Sequence, residues 1–452
     1  MEDEEKFNLI KPRKKTTNII EKIDYTDVSL DEATSSNLDK DNTTLVFNIG
    51  QTGDILDIQN TKIICDLEVT VAANKNVSLE NNFFAKCFSE ISFYTGTKRI
   101  DNKQNMEIID TMMKLLTIPK DYSDSYGSVD GWIPDYGNGD VVDKLTFTTE
   151  NPTEAQLTAL ENRLNKLDFN EGFVKRQQYF TPKSGAGDAG LNKFRIEYPL
   201  RYLIPLLDHD AYNLVFANKI ELKKDINKAR LFYSSAGTVD ADVNISFKQI
   251  FLRIPKIQPT SKMQELINKA ITSSKISYAD VLSRDAHTTV INSDNFTWNI
   301  TSGLTNLPSY MIIGFKPLTA ESLTVNNSKF QMYIDADNFI KTIQVVINGE
   351  GFPITPMQIC DNNGFLNNDS YDETYNTAHK LGNIFIYNVS EYRKFASILA
   401  IDLTHRKENA TLGTNLVSVK VTKKGYNCNI YATLLTDATY QLNYKDKTIT
   451  LE

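Results

Sequence analysis

Two tryptophans, four histidines and four cysteines are spread through 452 residues, so material for metal or redox chemistry is scarce. Cys65, Cys87, Cys360 and Cys428 form no Cys-x-x-Cys pair. The spacing of a zinc ribbon or a dithiol redox site is therefore missing. Cys65 falls in an alternating apolar run and reads as a buried thiol, which suits assembly in a reducing compartment. His209, His287, His379 and His405 include no His-x-His pair, the usual start of a cupin-type metal site. No Gly-x-Ser-x-Gly elbow announces a hydrolase nucleophile. The glycine-rich segment 185–190 lacks the Lys-Ser/Thr ending of a phosphate loop, and segment 135–140 has the wrong spacing for a calcium loop. No run of about 18 apolar residues is present to span a membrane. The acidic N-terminus carries no apolar core of a signal peptide.

Positive charge is also in short supply. Lys and Arg number 49 against 57 acidic residues, a net charge of −8. That balance argues against general nucleic-acid binding, which needs clustered cations. One end is uneven. Glu2, Asp3, Glu4 and Glu5 precede Lys11-Pro-Arg13-Lys14-Lys15. The plain reading is a solvated tail. The sharper readings are a nuclear localisation signal, or an arm in which Lys11, Arg13, Lys14 and Lys15 contact nucleic acid or a partner.

What is abundant is strand signal. Tyr (21) and Phe (23) are plentiful, and aromatic and β-branched residues favour strands. Ile63, Cys65, Leu67, Val69 and Val71 share one face of an alternating run. Val243, Ile245 and Phe247 alternate, and then Ile250, Leu252 and Ile254 alternate on the opposite parity. That phase change near Lys248-Gln249 predicts a β-bulge. Later, Phe296, Trp298 and Ile300 alternate, as do Ile343, Val345 and Ile347, and Val417, Val419 and Val421. Tyr440, Leu442 and Tyr444, a turn, then Ile449 and Leu451 read as a closing hairpin. Helical spacing is rarer. It occurs over 108–116 and in Leu157, Leu160, Leu164 and Leu167 behind the candidate N-cap Thr153. Residues 371–380 read as a short helix, and 121–140 as a loop.

The organisation expected is a flexible arm over 1–42, a β block over 43–259 with a helical insertion at about 151–168, a linker helix within 260–280, and a second β block over 281–452. Ser261 and Gln264 suggest a capping box, and Met263, Leu266, Ile267, Ala270 and Ile271 an apolar stripe packed between the two blocks. Many short strands with long loops favour sandwiches or jelly rolls. A pair of carboxylates brought together only in space leaves no linear signature. A carbohydrate-binding or carbohydrate-active sandwich is thus the alternative from another class.

Several stretches carry a family resemblance in their order. They are Asp121-Tyr-Ser-Asp-Ser-Tyr-Gly-Ser-Val-Asp-Gly-Trp-Ile-Pro-Asp135; Tyr198-Pro-Leu-Arg-Tyr-Leu-Ile-Pro-Leu-Leu-Asp208 with Phe216-Ala-Asn-Lys-Ile-Glu-Leu222 and Phe251-Leu-Arg-Ile-Pro255; Phe330-Gln-Met-Tyr-Ile-Asp335 leading to Asn348-Gly-Glu-Gly-Phe-Pro353; and the tail 429–452. Together they resemble the double jelly-roll major capsid proteins of Polinton and adintovirus-like elements, a lineage that takes in virophages, giant DNA viruses and the adenovirus hexon. The resemblance covers roughly 45–452 and leaves the arm outside.

The resemblance implies an all-β chain of two consecutive eight-stranded jelly rolls with short inserted helices. It implies a structural, non-enzymatic protein with no cofactor or metal. Three copies would form a pseudo-hexagonal capsomer, and capsomers would tile the icosahedral shell of a DNA virus. The implied partners are the chain itself, neighbouring capsomers, and penton and minor capsid proteins; weak genome contact through the arm is expected from its charge cluster and not from the resemblance. The implied location is the virion, after assembly in host cytoplasm or nucleus. An assembly scaffold of the same fold is the near alternative. Loops 100–190 and 350–395 are the expected places for trimer contacts and surface decoration.

Overall fold

The computed structural model describes residues 20–32, 38, 40–50, 55–72, 77–137, 154, 170–177, 190–208, 218–234, 243–272, 276–304, 306–318, 329–382, 385–405, 415–443, 446 and 448–451. The expected helix at 151–168 and the glycine-rich 185–189 lie outside the described residues, apart from Glu154.

Sixteen of the strands among the described residues build two rolls. The first contains β1 (Ile20–Ser29), β2 (Thr44–Ile49), β3 (Lys62–Val71), β4 (Phe88–Thr95), β5 (Lys98–Gln104), β6 (Gly190–Pro199), β7 (Asn218–Lys224) and β8 (Val243–Pro259). The second contains β9 (Ile276–Ile291), β10 (Asn295–Leu304), β11 (Tyr310–Pro317), β12 (Asn338–Ile347), β13 (Glu350–Gln358), β14 (Ile398–Asp402), β15 (Asn415–Lys424) and β16 (Cys428–Asn443). All their pairings are antiparallel.

The connectivity defines the fold. In the first roll one sheet runs β1-β8-β3-β6 and the other β2-β7-β4-β5. In the second the sheets run β9-β16-β11-β14 and β10-β15-β12, with β13 paired to β12. Adding eight to each number in the first roll reproduces the second. The first strand lies beside the last, and successive strands swap sheets except at the hairpins β4-β5 and β12-β13, which is a jelly roll. The chain makes it twice.

Periodicity translates into burial as expected. Ile63, Cys65, Leu67, Val69 and Val71 all face the first core. Between Phe247 and Gln249 the register of β8 against β3 shifts, so both Phe247 and Ile250 point inward. Val417, Val419 and Val421 on β15 face the second core.

Strand β1 departs from the expected flexible arm. Ile20–Ser29 pairs with β8 from Ile20–Pro259 to Ser29–Phe251. Its signal is weak because it is a sheet-edge strand. Val28, opposite Leu252, packs on the core, while Ile23 and Tyr25 on the alternate face are 55% and 64% exposed.

The linker helix also differs. Helix Ser261–Thr272 begins at Ser261, with the Gln264 amide bonded to the Thr260 carbonyl. The Gln264 side chain donates to Asn268 Oδ1 at 3.2 Å, so it closes no capping box. Met263 rests on Ile55 and Ile257, and Leu266 is 56% exposed. Met263 thus touches the first roll, and the stripe residues Ile267, Ala270 and Ile271 lie outside the described side chains.

Strands β9 and β16 are each 16 residues long and pair throughout. They outrun the second roll. Ala279, Tyr440 and Leu442, with Ile449 of the short strand Thr448–Leu451, join the core of the first roll. Burying Leu442 and Ile449 contributes about 1.5–3 kcal/mol each. The end of the second roll thus closes the first.

Candidate assembly surfaces and the junction of the two rolls

Strand β5 leads directly into helix α1 (Met106–Thr117). Ile108, Ile109, Met112, Met113, Leu115 and Leu116 are all buried. A helix apolar on most sides must be enclosed on most sides. Here one side meets the first roll. The other meets Ile312, Ala400 and Leu435, on the outer face of the β9-β16-β11-β14 sheet. Gly314 makes the close approach available. A Cβ there would stand 2.5 Å from the Phe330 ring and 2.7 Å from Met112 Cε.

Segment 121–140, expected to be a loop, is instead part of this junction as far as it is described. Lys120–Asp124 and Gly127–Asp130 are helical turns, and Trp132 is fully buried against α1. Asn170 and Phe173 are buried as well, and Arg176 pairs with Asp135 and donates to the Leu79 carbonyl. The described parts of 100–190 are therefore largely internal. Likewise Asp369–Lys380 packs on β14, with Thr374 and Thr377 hydroxyls donating to the Ile398 and Ala400 carbonyls.

A buried charge cluster lies in the junction. Lys114 Nζ is 3.2 Å from Asp110 Oδ2 and 3.5 Å from Asp130 Oδ2. It also stands 4.3 Å and 4.9 Å from the ring centres of Tyr198 and Tyr202. Tyr122 Oη donates to Asp130 at 2.6 Å, and the Trp132 amide donates to its other oxygen at 2.9 Å. Burial alone would depress the Lys114 ammonium, but Asp110 and Asp130 hold it above the ordinary lysine range. Burial pushes the Asp130 carboxyl up, with Lys114 and Tyr122 opposing. From the second roll Arg284 Nη1 donates to the Tyr202 carbonyl.

Two more ion pairs cross the junction. Lys103 of β5 reaches Asp285 of β9 at 3.3 Å and Ser283 at 3.2 Å, while pairing with Asp101 at 2.8 Å. Glu107 of α1 lies 3.8 Å from Arg230 and 3.9 Å from Lys316 of β11. Burial lowers Lys316 to about 8. These groups are charge partners across an interface. No nucleophile sits with a base among them. They fix how one roll is set on the other, since a buried cation between carboxylates does not tolerate sliding.

Beside this seam lies a cleft of about 290 Å³, lined by Asn102, Gln104, Asp285, Ala286, His287, Leu434 and Thr436. It holds one carboxylate and no sugar-stacking ring, so two-acid glycoside chemistry is not assembled there. Among the described residues no group of three His, Cys, Asp or Glu is placed to hold a metal ion, and no helix is long and apolar enough to cross a membrane. All four cysteines are buried and unbridged.

The outer face of the β1-β8-β3-β6 sheet contrasts with its counterpart. It carries cross-strand ion pairs in place of helices. Arg253 bonds Asp27 twice at 2.9 Å, and Arg195 bonds Asp66 at 2.6 and 2.7 Å. Glu68 accepts both Lys193 at 2.9 Å and Lys248 at 3.0 Å. Along its edge stand Ile23 and Tyr25. At the far side of the molecule's strand order, β13 exposes Ile354 at 82%, and the following segment exposes Phe365 at 73% and Tyr375 at 38%. The candidate arm residues Lys11, Arg13, Lys14 and Lys15 lie outside the described residues.

No protein-family model and no curated protein matches the chain. Solved structures do. A chain of the Sputnik virophage aligns over 96% of this chain and 89% of its own, at 11% identity and TM-score 0.61. The mavirus major capsid protein aligns over 99% and 94%, at 10% identity and TM-score 0.54. The Faustovirus major capsid protein aligns over 93% and 90%, at 10% identity and TM-score 0.53. The chain has the double jelly-roll fold. At an identity near one residue in ten, the likeness is one of backbone and connectivity.

Proposed function

We propose that this chain is a capsid protein whose role is structural and not catalytic. Three copies form a pseudo-hexagonal capsomer, and capsomers tile an icosahedral shell of a DNA virus. The observation that carries the reading is the repeated eight-strand order, two rolls locked side by side over nearly the whole chain. Its likeness to the capsid proteins of mavirus and Faustovirus spans nine-tenths or more of each. Two similar rolls per chain give six similar units in a ring of three. The location this implies is the virion, with penton and minor capsid proteins as neighbours.

The test is solution mass by size exclusion with light scattering, then negative-stain imaging of the main peak. A trimer with a hexagonal outline supports the reading. A monomer at every salt concentration and pH overturns it. Recovery of the protein in purified particles separates a shell component from a scaffold of the same fold.

A further inference from the structure

We propose that Lys114 and Asp130 become joined by an amide between their side chains, formed by the chain itself with Asp110 as the base. All three side chains belong to one copy, so the reaction is independent of how copies assemble.

The Lys114 cluster is drier than the ion pairs beside it. Asp285, the partner of Lys103, is half exposed, whereas Lys114, Asp110 and Asp130 are each 0–1% exposed. The rings of Tyr198, Tyr202 and Trp132 stand 4.3, 4.9 and 5.4 Å from Lys114 Nζ. One cation between two ionised carboxylates would leave a negative charge uncompensated in these surroundings, which is costly. Asp110 is the less well served of the two. Neither of its oxygens accepts a hydrogen bond of good geometry. A buried polar group in that condition calls for a role. A protonated Asp110 facing an amide carbonyl would have a partner.

The parts of an acyl transfer are in place. Lys114 Nζ lies 3.5 Å from Asp130 Oδ2, in contact with the carboxyl it would attack. Asp110 Oδ2, 3.2 Å from the same nitrogen, is placed to take its proton. The Trp132 amide donates to Asp130 Oδ1 at 2.9 Å and holds the oxygen on which negative charge develops. Tyr122 Oη donates to Oδ2 at 2.6 Å and assists its departure. Burial favours the protonated form of Asp130, which is the form open to attack.

Atoms and charges balance within the three side chains. A proton passes from the Lys114 ammonium to Asp110. The amine nitrogen then adds to Cγ of protonated Asp130. The Cγ–Oδ2 bond breaks, and Oδ2 leaves as water with its own proton and one from the nitrogen. The product is an Nζ–Cγ amide whose carbonyl oxygen, Oδ1, keeps the Trp132 N–H. Asp110 remains protonated beside it. An ammonium and a carboxylate disappear from a site that solvates neither. Lys114 and Asp110 lie one turn apart on α1, so an amide between them would only staple the helix. Joining Lys114 to Asp130 instead ties α1, which bears on both rolls, to the turn Gly127–Asp130 that precedes Trp132.

Intact-mass measurement of the full chain is the test. The wild-type protein, as purified and after prolonged incubation, should be lighter than its sequence by one water. Digestion should release a branched peptide joining Lys114 to Asp130. Lys114→Met and Asp110→Asn should each show the full mass of their sequences, with circular dichroism reporting whether they fold. If either does not fold, the wild-type mass and peptide still decide. A wild-type chain of full mass overturns the amide. So does a lost water traced to a cyclic imide at Asp130-Gly131, which yields no branched peptide, or to an amide between Lys114 and Asp110. A branched peptide that persists in folded Asp110→Asn overturns Asp110 as the base.

Discussion

Arg284 of the second roll donates to the main-chain carbonyl of Tyr202 in the first, 2.9 Å away. The two residues are far apart in sequence and meet only when both rolls are closed. Arg284→Ala should destabilise the whole chain by about 1–3 kcal/mol, because it removes a charge-assisted hydrogen bond at a part-buried site. Denaturant unfolding followed by far-UV signal and by tryptophan emission should shift together. Two separated transitions would show that the rolls are independent.

Lys114→Ala should cost more, about 3–5 kcal/mol, since Asp110 and Asp130 would be left buried without their cation. Replacing all three at once with apolar residues of similar size should recover much of that loss. The comparison of midpoints between the single and the triple variant is the measurement.

Lys316 supplies a pH signature. Its folded-state value of about 8 lies below the ordinary lysine value near 10.5. Between those values the unfolded chain holds a proton that the folded chain has released, so stability rises with pH in that window. The penalty grows as pH falls from 10.5 and is fully present below 8. Lys316→Met should remove a rise of about 3 kcal/mol between pH 8 and 10.5, seen as the difference between the two proteins' stability curves.

Gly314→Ala should overpack the junction. The new methyl would meet the Phe330 ring and Met112, which are both held in place by the core around them. A loss of about 1–3 kcal/mol is expected. Met112→Ala in the same background should relieve part of it, and an additive double variant would refute the contact.

Neutralising Lys11, Arg13, Lys14 and Lys15 tests the proposed arm. If it meets nucleic acid, the variant should bind less tightly and show a salt slope shallower by about three to four charges. Unchanged binding and unchanged assembly would make it a passive tail.

Much of the fold was legible in sequence, and the reason is local. Ile63 to Val71 and Val417 to Val421 alternate because each strand has one face in a core. The bulge at Lys248-Gln249 was legible as a parity change. Strand β1 was not, because an edge strand with Ile23 and Tyr25 outward and charges between them has no clean period. Nor was the junction. Lys114 and Asp130, or Arg284 and Tyr202, become partners through tertiary packing that no spacing encodes. Trp132 sat in a polar stretch that reads as loop, and only the helix beside it explains its burial.

The strand Thr448–Leu451 seals the first roll with Ile449, although it is among the final residues of the sequence. Ribosomes deliver chains from the N-terminus, at about 5–20 residues per second. The first roll therefore stays open at one end until Tyr440, Leu442 and Ile449, which follow it by the length of the second roll, have been made. A chain that stops inside the second roll leaves the apolar side chains around these three uncovered. The second roll is thus a folding partner of the first as well as its neighbour.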